Sequence, residues 1–94
     1  MSYSDDQRFI ASDDALARVL DGELVMLDLK SGTYFGMNEV GARIWEILTA
    51  GENIASAVET LTSEFAVDPS TVREDIESLL VQLAERDLIK PIEA

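Results

Sequence analysis

The chain predicts an α+β domain in which a three-stranded antiparallel sheet is followed by three helices. Two tight-turn signals, Asp21-Gly22 and Ser31-Gly32, separate runs that read as strands. Beyond Asn38 the apolar residues recur at helical spacing instead. Three helices cannot each bury a stripe without a shared partner, and one face of the strand meander supplies it. Ninety-four residues make a single domain, large enough for one modest core and too small for a core plus a deep cofactor cleft.

Taken in order, residues 1–7 are polar and expected to be a flexible terminus. Residues 8–12 fit a short strand, ended by the turn-prone Ser12-Asp13-Asp14, and residues 15–20 are a second extended run. Asp21-Gly22 is the dipeptide of a two-residue hairpin turn and leads into a strand over residues 23–29. Alternation places Val25, Leu27 and Leu29 on one face of that strand and Leu24, Met26 and Asp28 on the other. Ser31-Gly32 turns the chain again, and Thr33-Tyr34-Phe35-Gly36-Met37 returns as the third strand of the meander.

Asn38 suits a helix N-cap. Gly41 three residues on excludes a capping box, while Glu39 complements the positive end of the helix dipole. Val40, Ile44, Trp45, Ile47 and Leu48 then mark the first helix, with Gly51 as its C-terminal stop. Asn53 opens a second helix whose stripe is Ile54, Val58, Leu61 and Phe65. Asp68 or Ser70 caps the third, with Pro69 in the first turn, where its missing N–H costs nothing. Val72, Ile76, Leu79, Leu80, Leu83 and Leu88 form its inward face. Trp45 reads as core, and Met26 and Met37 read as gap-fillers that also adapt to varied peptides. There is no internal repeat or low-complexity tract. The domain is expected to span residues 8–90, with 91–94 as a tail.

Composition excludes several functions. Seven Lys+Arg stand against nineteen Asp+Glu, a formal net charge of −12, and the basic residues are scattered, so there is no footprint for nucleic acid. The same charge opposes docking on anionic lipid, and no apolar run approaches the roughly 20 residues of a membrane span. The N-terminus lacks the basic and apolar regions of a signal peptide, so a cytoplasmic location is expected. Without Cys or His there are no disulfides, thiolate nucleophiles or imidazole bases, and neither an enzyme nor a cofactor is expected. The acidic clusters Asp5-Asp6, Asp13-Asp14 and Glu74-Asp75-Glu77 lack the spacing of a calcium loop.

The run LDLKSGTYFGMNEVGARIWEIL, residues 27–48, resembles the PqqD-like family, the pyrroloquinoline-quinone biosynthesis chaperones also called RiPP recognition elements. It is most similar to the stand-alone leader-recognition half of split lasso-peptide B proteins. The link Phe65-Ala66-Val67-Asp68-Pro69 and the closing LLVQLAERDLI extend the likeness over roughly residues 8–90. The resemblance implies a winged-helix-like fold whose members bind the leader of a ribosomally made precursor peptide as an added strand, beside the third strand and against the third helix. It also implies a leader peptidase, a transglutaminase-like cysteine protease, and an ATP-dependent cyclase as partners. A radical S-adenosylmethionine enzyme as partner and a winged-helix DNA-binding regulator are the alternatives.

On that reading the peptide-binding residues are Thr33, Tyr34, Phe35, Gly36 and Met37 of the edge strand, together with Arg73, Ile76, Glu77, Leu80 and Ala84 of the third helix. Strand alternation sends Tyr34 and Phe35 to opposite faces, one to the core and the other to the groove. Gly36 would let the peptide backbone come close. Arg73, Glu77, Leu80 and Ala84 recur at spacings of 4, 3 and 4, one position round from the core stripe, with Leu80 as an apolar pocket and Glu77 meeting a basic leader residue. An exposed Arg73–Glu77 helical ion pair is the competing role for two of them. The open edge makes either a monomer or an edge-strand dimer possible.

Overall fold

A computed structural model describes residues 3–92. Asp21 and Gly22 both take positive φ, 53° and 81°, the conformation of a type I′ turn that matches strand twist. They fold β2 (Ala15–Leu20) back on β3 (Glu23–Asp28), with Ala15 opposite Asp28 and Leu20 opposite Glu23. At the next turn the buried Asp28 carboxylate accepts from the Lys30 N–H and the Ser31 hydroxyl, and Gly32 takes φ 72°. That returns β4 (Thr33–Met37) along β3, giving an antiparallel sheet of order β2-β3-β4.

The register decides which face is core. Leu24 pairs with Met37, Met26 with Phe35 and Asp28 with Thr33, so these residues share the inner face. Leu24, Met26 and Asp28 are buried, whereas Val25 and Leu29 are exposed and Leu27 is half-buried. The more uniformly apolar set of the strand is therefore on the outside, and a carboxylate whose oxygens are occupied by its own turn is inside.

Asn38 caps α1 (Glu39–Thr49) by accepting the Gly41 N–H at 2.9 Å. The helix ends in a Schellman arrangement: Gly51, at φ 96°, donates to the Leu48 carbonyl and Glu52 to that of Ile47. Asn53 caps α2 (Ile54–Phe65) by accepting the Ser56 N–H. That helix stops at Ala66, left-handed at φ 52°. Asp68, not Ser70, caps α3 (Pro69–Glu85), and the Ser70 hydroxyl hydrogen bond holds the Asp68 carboxyl below its usual range. Arg43 of α1 meets Glu64 of α2 through two 2.9 Å hydrogen bonds that likewise lower the Glu64 carboxyl pKa. No helix among the described residues is long and apolar enough to cross a membrane.

Three differences from the sequence expectation lie at the two chain ends. Leu88 is fully buried but is not on the helix: Asp87 at φ 57° ends α3, donating to Ala84 while Leu88 donates to Leu83, and this turn throws Leu88 back into the core. The chain then forms β5 (Ile89–Pro91), expected to be domain end and tail, which pairs antiparallel with β1 (Phe9–Ala11) in a second, two-stranded sheet. Finally, residues 3–7, expected to fray, are docked. The Asp5 and Gln7 carbonyls accept from Ala55 and Ile54 at the start of α2, and Arg73 bonds the Asp5 carboxylate and the Tyr3 carbonyl. Residues 1–2 of the expected flexible terminus and 93–94 of the expected tail lie outside the described residues.

Candidate functional site

In the three-stranded sheet β4 is bonded to β3 on one side and to no described strand on the other. Its free edge faces α3 across an open groove of about 350 Å³. The floor is apolar, made by Phe35 and Met37 of β4, Val40 and Ile44 of α1 and Leu79 of α3. The rim is polar: Asn38, Asp75, Ser78 and Gln82. Exposed backbone donors and acceptors beside an apolar trough are what an extended peptide needs in order to add as a strand.

The expectation that one of Tyr34 and Phe35 is core and the other lines the groove does not hold, because Phe35 both packs against the core and lines the groove. Phe35 lies on the inner face opposite Met26 and lines the groove, with the Arg86 guanidinium 5.1 Å from its ring centroid. Tyr34 is on the outer face and 71% exposed. Thr33 shares the inner face at the turn end, exposed, and Met37 is buried at the helix end. Gly36 does not owe its identity to crowding, since an added Cβ would meet only the Leu24 carbonyl oxygen, at 3.8 Å. Gly41 is the constrained glycine, because a Cβ there would stand 3.1 Å from Met37 Cβ and 3.4 Å from the capping oxygen of Asn38.

On α3 the flank assignment is corrected. Ile76 and Leu80 are each 0% exposed and belong to the core with Val72 and Leu83, so neither lines the groove. Arg73 and Glu77 occupy the side away from β4, where Arg73 holds the N-terminal segment and its Nε is 3.8 Å from Glu77. Ala84 is half-buried and is not among the residues lining the groove. The flank facing β4 carries Asp75, Ser78, Leu79 and Gln82. Sequence spacing alone had a usable clue, because 75, 79 and 82 repeat at 4 and 3 on the other side of the stripe. Periodicity gives a stripe's centre but not which flank packs towards the sheet. Among the described residues no three His, Cys, Asp or Glu side chains are grouped so as to hold a metal ion.

A small sheet whose β4 edge faces a helix across an apolar trough has the build of an extended-peptide docking module. The chain matches the family model described as coenzyme PQQ synthesis protein D (PqqD) over residues 23–89, and it belongs to that family. Two solved structures share the fold, each with a TM-score of 0.80. One is TbiB1 in complex with the TbiA(beta) leader peptide, 35% identical over 90% of this chain and 99% of that one. The other is a lasso peptide synthetase B1 complexed with the leader peptide, 30% identical over 89% of this chain and 99% of that one. No curated protein matches the chain.

Proposed function

We propose that this protein is a non-catalytic adaptor that binds the leader of a ribosomally synthesised precursor, a lasso-peptide precursor, by strand addition to β4. The observation that carries this is the β4 edge, unpaired among the described residues and facing α3 across an apolar trough, in a chain similar to two solved proteins captured with leader peptides. Thr33 to Met37 supply the backbone edge, Phe35 and Met37 the floor, and Leu79 the apolar part of the opposite wall. Having bound the leader, the adaptor presents the rest of the precursor to a leader peptidase and an ATP-dependent cyclase. Tethering raises local substrate concentration, so modest leader affinity suffices. The work is cytoplasmic, where ribosomal precursors emerge.

Membership of the PQQ synthesis protein D family favours a second pathway, in which the same module chaperones a peptide for a radical S-adenosylmethionine enzyme. The identity to two lasso B1 proteins favours the first. A DNA-binding role is disfavoured by α3 itself, where Arg73 stands against Glu74, Asp75, Glu77 and Glu85.

The test is fluorescence anisotropy with the labelled leader encoded by the precursor gene beside this one. Micromolar or tighter binding that a scrambled leader lacks is expected. Leu79→Glu should weaken it by about tenfold or more, the scale of a central interface contact, with the circular dichroism spectrum unchanged. Full affinity in a folded Leu79→Glu variant, or no binding by the native protein, would overturn the assignment.

A further inference from the structure

Opposite charges flank the groove at its two ends. Asp75 stands on the rim near Met37 and Asn38, and among the described residues no cation is within ion-pair distance of it. Glu39, in the first turn of α1, adds to the negative charge of this end. At the turn end of β4 the Arg86 guanidinium lies over the face of Phe35. The nearby Lys30 is already engaged by Asp87 at 3.9 Å, which leaves Arg86, not itself a lining residue, as the cation stacked on the groove's Phe35.

Resting on the leader-binding reading, we propose that Asp75 and Arg86 read the charge order of the docked strand. Asp75 takes a Lys or Arg of the peptide, and Arg86 takes an Asp or Glu. Eleven positions of helix separate the two residues, or about 16 Å at 1.5 Å per residue. An extended chain covers that distance in about five residues. Both peptide side chains must point into the same groove, and a strand alternates its faces, so the spacing is even, four or six. The sheet is antiparallel throughout, and antiparallel addition is the more stable pairing. A strand added antiparallel to β4 begins at the Met37 end, so the basic residue precedes the acidic one. This charge pair selects among apolar peptides that would all fit the floor, and it fixes the direction of entry.

The experiment is selection from a displayed library of random 15-residue peptides on the native protein, on Asp75→Lys and on Arg86→Glu. Both positions are solvent-exposed, and circular dichroism checks that each variant is folded. The native protein should enrich peptides with a basic residue four or six positions before an acidic one. Asp75→Lys should lose or invert the first preference and Arg86→Glu the second. A native-selected peptide should bind each variant about two- to fivefold more weakly, as expected for exposed pairs, and regain affinity when its own charge is reversed. Binders that share an apolar pattern without charge order, or preferences that persist in both variants, would overturn the charge reading and leave leader binding standing. A library that yields no binder at all would overturn both.

Discussion

Leu80 and Leu79 are neighbours in sequence with opposite duties, and one turn angle separates them. Leu80 is fully buried between α3 and the rest of the core, whereas Leu79 is half-buried and forms the groove wall. Leu80→Ala should therefore cost about 2–5 kcal/mol in urea unfolding, through lost transfer energy plus the cavity left behind. A charged residue at position 80 would report on folding rather than on peptide binding. At Asn38 the effect is local. Its side-chain oxygen satisfies the Gly41 N–H, so Asn38→Ala should lower stability by about 1 kcal/mol and shift the thermal midpoint by roughly 4–8 °C. Asn38 was legible in the sequence because N-capping depends on residues three apart. The burial of Leu80 was legible too, but its exclusion from the groove was not, since that depends on what packs against α3.

At the scale of elements, the junction between β4 and α1 shapes the site. Met37 ends the edge strand, Asn38 turns the chain, and Gly41 lets the first turn of α1 sit against Met37, so the open edge stops after five residues. A short edge limits unwanted pairing with other chains. Helix ends also contribute a pH response. The Glu64 carboxyl is held down by its Arg43 hydrogen bonds, and the Asp68 carboxyl by the Ser70 hydroxyl. A folded-state pKa below the unfolded value gives stability that is fully present above the ordinary carboxylate range and is lost as pH falls through the folded value. Relief of the −12 net charge acts in the opposite direction on acidification, so the contribution is best read as a difference. The gap in urea midpoint between the native protein and a Glu64→Gln, Asp68→Asn variant should be open at neutral pH and close on acidification below about pH 4. A gap independent of pH would show that these bonds do not persist in solution.

For the whole molecule, stability rests on joining the ends. β1 and β5 pair with Ile10 opposite Lys90, and Leu88 and Ile89 enter the core beside Phe9. Removing residues 88–94 takes away two buried side chains and the partner of β1. The truncated chain should lose its cooperative thermal transition, as measured by circular dichroism. A truncated chain that unfolds cooperatively near the native midpoint would show that the second sheet is dispensable. The same closure leaves the β2-β3-β4 sheet with its β4 edge free, because the strand formed by the C-terminal segment is used to cover β1 and not β4.

The sequence by itself determined the local decisions: the Asp21-Gly22 hairpin, the caps at Asn38 and Asn53 and the stripes of the first two helices. Each depends on residues a few positions apart, where backbone sterics and short hydrogen bonds act without reference to the rest of the chain. Tertiary structure alone decided which face of β3 is core, that Phe35 and not Tyr34 looks into the groove, which flank of α3 faces it, and that Phe9–Ala11 waits for Ile89–Pro91. Alternation and periodicity define two faces or a stripe with two equivalent flanks. Only packing against elements distant in sequence breaks that equivalence.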